Sequence, residues 1–212
     1  MDDFVPIVLR SLAVSLSATF CATVIGLPLA AALALGRWPG RQVVLVMVHG
    51  LLGLPPVVVG LVLYLLLSRS GPLGGLGWLY SPEAMVMAQT VLATPIIAAL
   101  GHRAIEGRWR EFGRALQSSG ASRVAALPHL IRMAWGGIAT ALLAGFGRTV
   151  FEVGAVLIVG GNIAGVTRTM TTTITLETGK GNFDLALALG LVLVGISISA
   201  STVVLVVGRD RA

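Results

Sequence analysis

The chain has 212 residues, 56% of them hydrophobic and only 11% charged, where a soluble globular protein carries roughly 25% charge. A mean hydropathy of +0.92 excludes a water-soluble domain and makes the lipid bilayer the solvent. The single cysteine excludes a disulfide scaffold, and the lack of a long polar tract excludes disorder.

The net charge of +6 would suggest nucleic acid in a soluble protein, but in a membrane chain the placement of basic residues sets topology. Asp2 and Asp3 stand where a secretory signal carries basic residues, so the first apolar run is expected to be a retained span. That span covers about 6–35, with Asp3 as N-cap and Pro6 in the first turn, and ends at the breaker cluster Gly36-Arg37-Trp38-Pro39-Gly40. A second span, about 43–67, contains Leu54-Pro55-Pro56, which removes two backbone donors and predicts a break. Ser81-Pro82-Glu83 supplies an N-cap, a proline and an acid for a third span at about 83–105, with Pro95 inside it as an expected kink. Spans at about 137–159 and 183–207 complete a set of five, the last with Asn182 as its cap.

With the N-terminus outside, the inner segments hold Arg37, Arg41, Arg103, Arg108, Arg110, Arg114, Arg123, Arg132, Arg209 and Arg211. The outer ones hold Arg10, Arg69, Arg168 and Lys180. This asymmetry predicts N-out and C-in, and accounts for the high pI without an anionic partner such as nucleic acid.

The inner segment at about 106–134 is too polar to span. Trp109, Phe112, Ala115 and Leu116 recur at three- and four-residue steps and give one apolar face opposite an arginine-rich one. Gly120 fits the left-handed position that stops a helix, and Ser122 can cap a second short one. Two uses fit: a hairpin anchored on lipid, or a docking element for a cytoplasmic partner, since the chain has no phosphate-binding loop of its own and any ATP-driven work must come from outside it.

Arg114-Ala-Leu-Gln-Ser-Ser-Gly120-Ala121-Ser122 resembles the coupling motif of ABC importer permeases, in which a short cytoplasmic helix sits in a cleft of the ATPase. Ala115 matches the first alanine and Gly120 the glycine. Arg114 stands at the family's acidic position and Leu116 at its second alanine, while Glu111, one turn earlier, can serve a similar contact.

The fourth span places Arg148 and Glu152 four residues apart, hence on one helical face at membrane depth. A charge there is costly unless paired or wetted, so the two either pair with each other or face a substrate path or gate. After it, Thr167, Arg168, Thr169, Thr171, Thr172, Thr173, Thr175 and Thr178 form a threonine-rich loop placed outside. It either covers the outer mouth or touches an oxyanion or delivery protein, with Arg168 supplying charge.

The string from Arg148 through Glu152, Gly154, Gly160-Gly161-Asn162 and Thr167-Arg168-Thr169-Met170-Thr171 resembles the tungstate branch of the molybdate, tungstate and sulfate permeases. The resemblance implies an all-α integral membrane protein of the type I ABC importer permease fold, five transmembrane helices with cytoplasmic coupling helices, in a prokaryotic cytoplasmic membrane. It further implies a homodimer, two cytoplasmic ATPase subunits, an extracytoplasmic oxyanion-binding protein, and no catalytic site or cofactor in this chain. By the same likeness Glu111, Arg114, Ala115, Gly120, Ala121 and Ser122 serve ATPase coupling. Arg148, Glu152, Gly154, Asn162, Arg168, Thr169 and Thr171 are path or gate candidates. Molybdate or sulfate are the alternative cargoes. A secondary carrier fits less well, because the prolines do not fall into two comparable halves. His49, His102, His129 and Cys21 have no metal-ligand spacing, so no metal site is expected.

Overall fold

A computed structural model describes residues 4–209, with side chains to 204. The expected N-cap Asp3 and the basic residue Arg211 lie outside the described residues. Regular structure within them is entirely helical: α1 (Phe4–Leu35), α2 (Arg41–Gly50), α3 (Pro56–Leu67), α4 (Pro82–Ser118), α5 (Leu127–Met133), α6 (Trp135–Val150), α7 (Gly154–Gly160), α8 (Met170–Lys180) and α9 (Phe183–Arg209). Short 3₁₀ turns occupy Leu51–Gly53 and Gly74–Leu76.

Three helices among the described residues are long and apolar enough to cross a bilayer: Phe4–Leu35, Pro82–Ser118 and Phe183–Val204. The pairs formed by Arg41–Gly53 with Pro56–Leu67, and by Leu127–Met133 with Trp135–Val150, bring the number to five if each bent pair is one crossing.

The second span breaks where the prolines predict. Pro56 sits in the first turn of α3, and the Pro55 carbonyl accepts from the amides of Val58 and Val59 at 3.1 and 3.2 Å. The third departs from expectation in its end, because α4 runs 37 residues and continues past Ile105 to Ser118, with Pro95 inside it. At 1.5 Å per residue it is about 55 Å long, well beyond the ~30 Å hydrocarbon core. Expected span and expected coupling helix are thus one rod. Its end is the predicted one: Gly120 takes φ +83, Gly120 N–H donates to the Gln117 carbonyl at 2.9 Å and Ala121 N–H to Leu116 at 3.0 Å, a Schellman closure.

The fourth span also departs. The helix stops at Val150 and resumes at Gly154, rather than running to residue 159. The Glu152 carbonyl, which a continuous helix would use, instead accepts the Thr171 hydroxyl at 2.9 Å, and the Glu152 carboxylate accepts the Ala155 amide at 2.9 Å. The break is therefore held by one bond to the Glu152 backbone and one to its side chain. On the other side α6 continues back into α5 across a 75° bend.

The chain divides into two compact units. One comprises Met1–Cys21, Leu54–Ala93 and Phe146–Ser199. Its core joins Val59, Leu63 and Leu67 of α3 to Met85, Ala88 and Leu92 of α4 and to Val156 and Val159 of α7. Lipid is as apolar as leucine, so close backbone approach rather than water exclusion holds such helices together. Gly60 provides it here: a Cβ at that position would stand 2.9 Å from the Ala155 Cα. A second cluster joins Ile7, Val150, Met170, Leu189 and Leu193.

The other unit comprises Ala22–Gly53, Thr94–Gly145 and Ala200–Ala212. Ala30, Ala31, Ala34 and Leu35 of α1 pack there with Ile105, Ala126, Leu130, Ala134 and Ile138. The side of Trp109 and Leu116 that the sequence marks as apolar rests on this cluster.

Candidate coupling surface and translocation residues

The coupling candidates lie in the second of these units. Glu111, Arg114, Ala115, Gly120 and Ser122 are exposed, and Ala121 is half-buried. Glu111 pairs with Arg108 at 3.0 Å, both side chains about half exposed, so the pair contributes little and leaves its charges available to a partner. The Ala115 carbonyl accepts the hydroxyls of Ser118 and Ser119 at 2.9 and 3.0 Å. Ser122 does not cap α5, which begins at Leu127 with Ala126 at its N-cap position; its hydroxyl accepts the Ala125 amide at 3.2 Å and opens the turn ahead of that helix.

Beneath this surface lies an ionic cluster that the sequence reading missed. Glu106 meets Arg41 at 3.2 Å, Arg110 at 3.3 Å and His102 Nε2 at 3.7 Å. Arg41 also donates through Nε to the Leu33 carbonyl at 2.6 Å. Arg123 donates to the Leu35 carbonyl at 3.0 Å while its guanidinium lies over the Trp109 ring, 5.1 Å from the centroid. The last carbonyls of α1, which no intrahelical amide can satisfy, are thus taken by two cations at the negative end of the helix dipole. The spacings of four along a helix, His102 to Glu106 and Glu106 to Arg110, are the signals of this cluster in the sequence.

The path candidates lie in the first unit. Arg148 Nη1 donates to Glu152 Oε2 at 2.5 Å, with the Glu152 side chain 2% exposed and that of Arg148 26%. The expected pairing forms, although Glu152 stands just beyond the end of α6. Gly154 opens α7, where a Cβ would come within 3.1 Å of Val57. Thr171 joins through its bond to the Glu152 carbonyl. The hydroxyls of Thr169 and Thr171 lie 3.3 Å apart, and both residues are buried. Their hydroxyls are therefore occupied inside the unit and support the Glu152 break, rather than facing outward as donors.

Asn162 takes φ +50 in the turn after α7, where the Thr167 hydroxyl bridges the Gly160 carbonyl at 2.5 Å and the Ile163 amide at 2.9 Å. The buried Asn162 Oδ1 and Arg168 Nε have no hydrogen-bond partner among the described residues. Arg10 of α1, counted from sequence only as an outer charge, holds this turn by donating to the carbonyls of Gly165 at 2.7 Å and Arg168 at 3.2 Å. Next to it the Ser11 hydroxyl accepts the Met170 amide at 2.7 Å. Three further polar residues were not foreseen. Thr149 bonds to Thr19, and Gln89 donates to the Thr149 carbonyl at 3.0 Å.

At the end of α8, Glu177 receives Lys180 at 2.8 Å and the Asn182 amide at 3.0 Å. Asn182 sits just ahead of α9, and its side-chain nitrogen donates to Glu177. The Lys180 hydrogen bond first, and that of Asn182 second, hold the Glu177 carboxyl below its ordinary value.

An all-helical chain with long apolar helices, broken spans and an exposed capped segment after its longest helix has the architecture of a transporter's membrane subunit. The solved structure of the MetNI methionine ABC transporter, in an inward-facing conformation, contains a chain that superposes with a TM-score of 0.80 at 20% identity, over 99% of this chain and 96% of that one. The fold is therefore that of a type I ABC importer permease. The chain belongs to the family described as "Binding-protein-dependent transport system inner membrane component", which matches residues 22–211, and within it to the ABC permeases of tungstate and molybdate type. It is 41% identical to a probable anion ABC transporter permease protein of Haloferax volcanii, over 76% of this chain and 72% of that protein. It is 35% identical to the tungstate uptake system permease protein TupB of Peptoclostridium acidaminophilum, over 78% and 72% respectively. Proteins named as molybdenum transport system permeases are similar as well.

Proposed function

We propose that this chain is the membrane subunit of an importer that carries tungstate into the cell by alternating access, with molybdate as the second cargo to test. The observation that carries the reading is the 35% identity to a tungstate uptake permease over 72% of that protein, together with the match of residues 22–211 to a binding-protein-dependent family. Two copies enclose the path, an extracytoplasmic binding protein delivers the oxyanion, and two cytoplasmic ATPases supply the energy through the exposed residues from Glu111 to Ser122. The N-terminus lies outside, which puts that surface on the cytoplasmic side. Arg148 and Glu152 gate the path: the guanidinium that neutralises Glu152 in one state is the group an oxyanion would compete for in another.

Uptake of radiolabelled tungstate, molybdate and sulfate by cells lacking this subunit, with and without the gene restored, tests the reading. Restored tungstate uptake that competing tungstate suppresses better than competing molybdate supports it. Restoration of molybdate uptake alone replaces the cargo, and restoration of none removes the importer.

A further inference from the structure

The segment that follows α4 is fixed to α1 by more than apolar contact. Arg123 reaches across 88 positions of sequence to the Leu35 carbonyl, the last residue of α1, and is itself steadied by the Trp109 ring of α4. Arg41 takes the Leu33 carbonyl and is itself held by Glu106 of α4. Each α1 carbonyl is thus tied through an arginine to α4, once by a ring face and once by a carboxylate. Glu106 carries a second cation, Arg110, one turn along α4.

The four anchor residues differ in exposure from the surface they hold up. Arg41, Glu106, Trp109 and Arg123 are all half-buried, whereas Glu111, Arg114 and Gly120 are exposed. Partly desolvated charge pairs and a guanidinium stacked on indole hold geometry far better than exposed ones. Helix α1 is uninterrupted from Phe4 to Leu35, about 48 Å at 1.5 Å per residue.

We propose that Arg123 and Glu106 are positioning residues that clamp the last turn of α1, Arg123 from the segment after α4 and Glu106 from α4 itself through Arg41, so that displacement of the exposed surface from Glu111 to Ser122 is transmitted to α1. The proposal rests on the importer reading above. It adds the residues that convert partner motion into helix motion, none of which needs to touch the partner or the cargo.

The test uses the intact complex, permease with its ATPase and binding protein, reconstituted in liposomes with radiolabelled tungstate and read as ions taken up per ATP hydrolysed. Arg123→Ala and Glu106→Gln are each expected to lower that ratio about tenfold while the complex still assembles and hydrolyses ATP. Arg123→Lys, which keeps a donor for the Leu35 carbonyl but loses the planar stack, is expected to recover part of it. An unchanged ratio in the assembled Glu106→Gln complex overturns the clamp, as does a proportional fall of uptake and hydrolysis together. Should Arg123→Ala fail to reach the membrane, the isosteric Glu106→Gln and the conservative Arg123→Lys decide the matter by the same ratio. Wild-type complex that takes up no tungstate or molybdate on ATP addition defeats the importer reading itself, an outcome distinct from loss confined to the variants.

Discussion

Glu152 faces two ways: one carboxylate oxygen takes the Arg148 guanidinium at 2.5 Å and the other takes the Ala155 amide at 2.9 Å. One side chain thereby neutralises a cation at the end of α6 and caps the start of α7. Arg148→Ala leaves a carboxylate that is 2% exposed without its counter-charge, at a cost of about 3 kcal/mol. Arg148→Met combined with Glu152→Gln removes both charges and is expected to regain most of that loss, since the glutamine oxygen still accepts from Ala155. Thermal unfolding of the two variants in detergent distinguishes them. If Arg148→Ala inserts normally and transports like wild type, the gate assignment falls while the permease remains.

Close approach of α3 and α7 depends on Gly60, where a Cβ would sit 2.9 Å from the backbone of Ala155 and 3.1 Å from Ile158. A backbone atom cannot swing aside as a side-chain tip can. Gly60→Ala is therefore expected to lower stability by about 1–3 kcal/mol, and Gly60→Leu to prevent accumulation of folded protein. Melting temperature and the yield of monodisperse protein report the two effects.

These two sites differ in how far the sequence announces them. The Arg148, Glu152 pair is legible, because two opposite charges four residues apart in an apolar run have few other ways to be satisfied. The break beside it is not, because glycine does not mark it: Gly145 and Gly147 lie inside α6, and Gly154 is already the first residue of α7. It arises from a tertiary bond, the Thr171 hydroxyl on the Glu152 carbonyl, between groups 19 positions apart. In contrast, the break at Pro55-Pro56 is written in the chain, since proline lacks the amide a helix needs. The continuity of α4 was hidden for a different reason: Arg103 to Arg110 mark where the chain becomes polar, but a change of solvent does not end a helix whose backbone bonds are all internal. Gly120 ends it, through a left-handed conformation that glycine favours. The Glu106 cluster escaped because its other main partner, Arg41, is 65 positions away.

The ion pair at the end of α8 predicts a pH dependence with a definite sign. Glu177 is held below its ordinary value of 4.5 by Lys180 and Asn182, so the folded chain keeps the carboxylate charged where the unfolded chain does not. Its contribution is complete above the unfolded value and is lost as pH falls through the folded one. Wild type should therefore lose melting temperature faster than Glu177→Gln between about pH 5 and pH 3, and the two curves should converge at the acid end. Parallel curves over that interval would show that the pair does nothing for the fold.

Gly120 separates conformational strain from crowding. Its φ is +83, yet a Cβ there would meet nothing within 4 Å. Gly120→Ala therefore costs only the left-handed backbone penalty, about 1–2 kcal/mol, and Gly120→Asn less, because asparagine tolerates that region. A β-branched replacement, Gly120→Val, is expected to fare worst and to unwind the last turn of α4 rather than clash. Loss of that turn would displace Arg114 and Ala115 from the exposed surface proposed to meet the ATPase. Co-purification of the ATPase should then fall in the order glycine, asparagine, alanine, valine, with membrane insertion unchanged. Equal recovery of the partner with all four residues would place the docking contact elsewhere on the chain.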